Sequence, residues 1–124
     1  MNMHKEAIED CVAAIKLDSS NAKAHFLLAQ CLTKLGNFRQ AEISYKNALS
    51  LGFDCQSQLQ TLAEIIYRFN AAEKFFQLKD YSGCIGQIHF VELHVTHSIP
   101  LKILRAKAFA GVGRNDEIVI EMTE

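Results

Sequence analysis

The sequence predicts an all-α chain of stacked antiparallel helix pairs, about seven helices with one of them lengthened. Apolar residues recur at 3–4 spacing, the pattern of a one-sided helix. The same stripes return after 34 positions, and glycine or capping residues punctuate them. Lys5–Leu17 superposes on Arg39–Leu51, with Ala7 on Ala41, Ala14 on Ala48 and Leu17 on Leu51. In the second half Ala72 falls on Ala106, Phe75 on Phe109 and Leu78 on Val112, again 34 apart. Such self-similarity marks an array of supersecondary units. Between the halves the step from Ala29 to Ala72 is 43, one period and nine residues more. Nine residues are about two and a half helical turns, so the insertion can lengthen a helix without breaking it.

The elements follow in order along a single predicted array, 1–124. Residues 3–17 read as the second helix of a pair whose first helix is absent. The pair 21–51 comes next. Ala24, Leu27, Leu28, Cys31, Leu32 and Leu35 line its first helix, and Phe38, Ala41, Tyr45, Ala48, Leu49 and Leu51 its second. Ser20-Asn21 offers capping oxygens, and Gly36 sits where a left-handed stop suits glycine. Small residues at 29, 41 and 48 let the axes approach closely. The third block, 56–95, has a long first helix over 56–78 and a second over 81–94. Gly83, Gly86 and β-branched Ile88, Val91 and Val95 weaken that second helix, and IGQIHFVELHV also admits a strand. The last block, 99–124, opens at Ser98 and Pro100, pauses at Gly113 and adds a short helix from Asp116.

Composition narrows the function. Thirteen Lys and Arg stand against fourteen Asp and Glu, giving a formal charge of -1. That balance argues against a duplex-binding surface. Apolar residues make up 49% of the chain, too many for a disordered one, yet no stretch approaches the ~18 consecutive apolar residues of a membrane span. The N-terminus lacks the order of a secretory signal. Cysteines at 11, 31, 55 and 84 form no CxxC pair, and they read as reduced thiols of a cytoplasmic chain. Cys11, Cys31 and Cys84 fall on packing positions, while Cys55, in the turn before the long helix, is the thiol expected to be reachable.

These residues resemble the tetratricopeptide repeat: Ala29, Gly36, aromatic Phe38, Ala41, aromatic Tyr45 and Ala48 stand at its signature positions in 22–55. The departures are His25 where a large apolar residue is usual, and Phe53 where the family has proline. The 72–112 unit is looser, with Lys79 in place of Gly and Cys84 in place of Ala. More narrowly, the long 56–78 helix, KDY at 79–81 and LKILRAKAFAGVGR at 101–114 resemble the tetratricopeptide co-chaperones that also carry a J domain. The resemblance implies a right-handed superhelical solenoid lined by the first helix of each pair. The implied peptide-binding positions are Lys23, Phe26, Gln30, Lys34, Phe69, Glu73, Phe76 and Lys107, with Thr33, Ile66, Gln77 and Ile103 beside them. It also implies protein partners, among them the acidic C-terminal tails of heat-shock chaperones. Lys23 takes the place of one clamp cation, but Leu27 stands where the paired Arg belongs. Phe69 and Glu73 stand where Lys and Asn are wanted, so a complete carboxylate clamp is not expected.

Other constellations carry less. His89, His94 and His97 with Cys84 fit no common zinc spacing, so neither metal nor cofactor is expected. No GxGxxG, Walker or GxSxG pattern is present, and no catalytic residue or enzymatic activity is expected. The predicted function is a protein–protein interaction module, a piece of a cytoplasmic co-chaperone passing clients between heat-shock seventy and ninety chaperones. The alternatives are an adaptor segment of an unrelated assembly and a truncated product without independent function. Ragged ends would favour self-association.

Overall fold

The structure, a computed structural model, describes the backbone of residues 3–123 and the side chains of residues 4–113. Among the described residues it contains six α-helices and no strand: α1 (Met3–Leu17), α2 (Ala22–Lys34), α3 (Phe38–Ser50), α4 (Gln56–Gln77), α5 (Tyr81–Glu92) and α6 (Ile99–Thr123). None is long and apolar enough to cross a membrane. The segment that also admitted a strand is helical as far as Glu92, and Asp80 starts the helix: its Oδ1 accepts from Gly83 N at 3.0 Å, capping α5.

Two compact units divide the chain, Met1–Glu64 with Val95–His97, and Ile65–His94 with Ser98–Glu124. In the first, α2 packs against α1 and α3. The three-residue connection between α2 and α3 makes them an antiparallel hairpin. Ala29, Ala41 and Ala48 are fully buried, with Leu32, Tyr45, Cys55 and Leu62 around them. In the second unit α5 packs against α6, and the core holds Ile65, Ala72, Cys84, Ile88, Val91, Leu101 and Ala108.

Helix starts and stops explain the phasing. Asn21 Oδ1 accepts from Ala24 N at 3.1 Å at the head of α2. Ser98 Oγ accepts from Leu101 N at 3.3 Å at the head of α6. Three helices end in the same left-handed motif. Gly36 has φ 83°, and beyond it Asn37 N reaches Leu32 O at 2.9 Å while Gly36 N reaches Thr33 O at 3.0 Å. Gly52 repeats this at φ 94°, with Phe53 N on Ala48 O and Gly52 N on Leu49 O. The third is Lys79, at φ 63°, with Asp80 N on Phe75 O at 2.9 Å. These paired bonds satisfy the last carbonyls of each helix.

A lysine in that conformation carries a steric cost of about 1 kcal/mol that glycine avoids. Glycine's larger unfolded-state entropy takes part of the gain back. Lys79→Gly is therefore expected to raise stability by ~0.5 kcal/mol. A higher urea midpoint at unchanged slope checks it.

At the far end the expected pause does not occur. The predicted stop at Gly113 and a separate helix from Asp116 are replaced by one continuous helix, so the count is six rather than seven among the described residues. Gly113 is not left-handed as Gly36 and Gly52 are. Glycine permits a reversal without imposing one, and no proline follows to forbid continuation. Phe109, the repeat counterpart of Phe75, is 46% exposed under the Arg105 guanidinium, 5.4 Å from its ring centre, while α6 turns Leu101 and Ala108 inward.

Candidate peptide-binding cleft

The second unit contains a cleft of about 430 Å³ whose walls are two helix faces. Phe69, Glu73, Phe76 and Gln77 project from α4, and Pro100, Ile103, Leu104 and Lys107 from α6. Each set follows the spacing that stacks side chains on one helical face. The apolar members supply the floor, with a carboxylate on one wall and an ammonium on the other. Phe76 meets the Tyr81 ring edge-on at 5.6 Å, which fixes one side of the cleft. Arg68, on the same helix, donates from Nη1 to Gln87 Oε1 at 3.1 Å and lies 5.2 Å from the Phe90 ring centre. Ion pairing of Arg105 Nε with Glu92 Oε1 at 2.8 Å ties α6 to α5.

Four of the eight expected positions, Phe69, Glu73, Phe76 and Lys107, thus line one cleft. The neighbours Gln77 and Ile103 line it as well. Pro100 and Leu104 were not among the expected residues. Their signal was present in the sequence, since 100, 103, 104 and 107 share one helical face.

The other four positions belong to α2 in the first unit. Lys23 and Lys34 are exposed, and Phe26 and Gln30 are partly covered. Phe26 packs on Phe53 at 4.6 Å and on Tyr45 at 5.8 Å between ring centres. An aromatic residue at 53, where the family has proline, therefore builds a small aromatic cluster. Thr33 turns inward and donates from Oγ1 to Ala29 O at 2.8 Å, so it does not line a groove. Leu27 is 40% exposed at the position where the clamp would need Arg.

The thiols depart from expectation at two places. Cys55 is completely buried rather than reachable. Its carbonyl accepts from Leu59 N as α4 begins, which turns the side chain inward, where Sγ donates to Tyr45 O at 3.1 Å. Burial, with a smaller contribution from the Asp54 charge, pushes its thiol above the ordinary cysteine range. Cys11 and Cys84 are buried and likewise raised, chiefly by burial, whereas Cys31 is partly exposed. His94 packs on Phe90 at 5.3 Å, and His97 meets His4 at 4.5 Å. Among the described residues no group of three or more His, Cys, Asp or Glu is placed to hold a metal.

Comparison with known proteins agrees with this architecture. The family model described as tetratricopeptide repeat matches residues 1–65. A curated relative, the DnaJ homolog subfamily C member 7 homolog of Dictyostelium discoideum, is 39% identical over 86 residues. That alignment covers 69% of this chain and 15% of the relative. No solved structure matches.

Proposed function

Because this chain belongs to the tetratricopeptide repeat family, a protein-interaction fold, we propose that its α4–α6 cleft takes an extended peptide segment of a partner protein. What supports the reading is the lining: apolar side chains between a carboxylate, Glu73, and an ammonium, Lys107. A bulky apolar side chain of the ligand fills the floor. An acidic neighbour meets Lys107, and a basic one meets Glu73. Charge-assisted contacts at the rim set direction, and the buried side chain provides most of the affinity.

The setting we propose is a cytoplasmic, non-enzymatic co-chaperone segment that helps pass clients between heat-shock seventy and ninety chaperones. The name of the relative supports it, although the chain spans only 15% of that relative's length. The exposed Leu27 beside Lys23 favours weak affinity for an acidic chaperone tail. An adaptor role in an unrelated assembly uses the same cleft without the acidic tail.

Fluorescence anisotropy separates these readings. A labelled ten-residue peptide with a central Leu-Phe flanked by Arg and Asp is expected to bind, and Phe76→Ala to weaken it about tenfold. That is the worth of one well-buried apolar side chain. Lys107→Glu is expected to weaken it several-fold, and a tail ending in EEVD to bind more weakly than this peptide. Insensitivity to both substitutions would remove the cleft from the proposal. Low-micromolar EEVD binding abolished by Lys23→Ala would move the site to α2.

A further inference from the structure

The end of α2 needs a partner from elsewhere in the first unit. A terminal helix carbonyl lacks an intrahelical donor, and Lys34 O receives two: Thr96 N at 3.0 Å and His97 N at 2.9 Å. Buried Val95 precedes this pair of bonds and anchors the segment. Three side chains meet beside the junction. Thr96 Oγ1 lies 2.8 Å from His97 Nδ1, a contact a hydroxyl can make as donor or acceptor. The His4 ring, from the first turn of α1, meets the His97 ring edge-on at 4.5 Å.

The titratable or charged groups that act on His4 are His97 on the connection and Lys34 on α2. Both are cationic when charged. An edge-on pair of neutral imidazoles is attractive, whereas two imidazolium rings beside an ammonium repel. We propose that the His4–His97 pair is a proton-operated latch. With neutral rings it holds residues 96–97 on the Lys34 carbonyl, and with both rings protonated it lets them go. Val95 stays anchored, so the opening reaches only residues 96–97 and the α2 end that presents Lys34.

The direction follows from the surroundings. Removal from water, then His97, then Lys34, holds the His4 imidazole below its ordinary value of 6.5. The folded chain thus favours neutral His4. Its contribution is fully present above that ordinary value and is lost as pH falls through the lowered one.

Amide hydrogen exchange by NMR on the 124-residue chain tests the latch. The protection of Thr96 and His97 amides is followed from pH 7.5 to 5.0, each rate divided by the intrinsic rate at the same pH. Gly52 N, bonded to Leu49 O at the end of α3, serves as the internal reference. Protection at 96 and 97 is expected to fall about fivefold relative to Gly52, the effect of two unit charges ~4 Å apart in water. His4→Phe keeps a ring without a proton site, and His4→Gln removes the ring. Both variants are expected to show protection that does not change with pH. A fall of equal size in either variant, or constant protection in the native chain, overturns the proposal.

Discussion

Truncating Leu62 to alanine is expected to destabilise the chain by about 3 kcal/mol, and the same change at Leu78 by less than ~0.5 kcal/mol. Both are leucines of the predicted 56–78 helix, but at about 100° per residue they lie on nearly opposite faces of it. In the fold Leu62 is 2% exposed and Leu78 is 68% exposed. Leu62 borders α3 near Glu42 and Lys46, so shortening it removes contacts and leaves a void in a close-packed region. Leu78 follows the last residue of α4, in a turn facing water, where a missing isobutyl group costs little. Urea denaturation monitored by circular dichroism measures both. A domain of this size has a total stability on the order of 10 kcal/mol, so the loss at Leu62 is a large fraction of it. Equal midpoints for the two variants would mean that the core lies elsewhere.

That contrast shows what the sequence made legible. Helix existence was carried by periodicity and capping. The positions of Asn21, Gly36 and Ser98 announced their roles, because a cap is a local interaction. The close alanines at 29, 41 and 48 were equally legible, since small residues at repeat spacing imply close axes. What failed depends on how elements pack. Cys55 seemed reachable because turns face water, yet its side chain rotates inward as α4 begins. Gly113 seemed a stop because glycine suits a reversal, yet α6 runs on. Four cleft residues were named from the resemblance, whereas Pro100 and Leu104 required the α4 and α6 faces to be placed opposite one another. The Lys34 carbonyl and its two distant donors had no sequence signal at all. A contact across more than sixty positions leaves no periodic trace.

Two glycines of the second unit should respond to alanine in opposite ways. Gly86 lies inside α5, and beyond its own helix backbone and chain neighbours nothing lies within 4 Å of the place a Cβ would take. Gly86→Ala therefore gains helix propensity alone and is expected to stabilise by about 1 kcal/mol. Gly111, inside α6, has the Tyr81 ring over it: a Cβ would lie 2.7 Å from Cγ, Cδ1 and Cδ2. No real contact is that short, so the ring or the helix must move. The ring has little room, because Phe76 already packs against it at 5.6 Å. Overpacking of this kind costs about 1–3 kcal/mol or more and outweighs the gain in propensity. Gly111→Ala is expected to lower stability by about 2 kcal/mol, a difference of ~3 kcal/mol between two identical substitutions. Because Phe76 lines the cleft, a displaced Tyr81 also disturbs the floor, and the Gly111 variant is expected to bind the Leu-Phe peptide several-fold more weakly. Gly86→Ala should leave that affinity unchanged. Thermal unfolding and anisotropy on both variants check the pair. A stabilised Gly111→Ala with native affinity would mean that the Tyr81 ring does not couple α6 to the cleft.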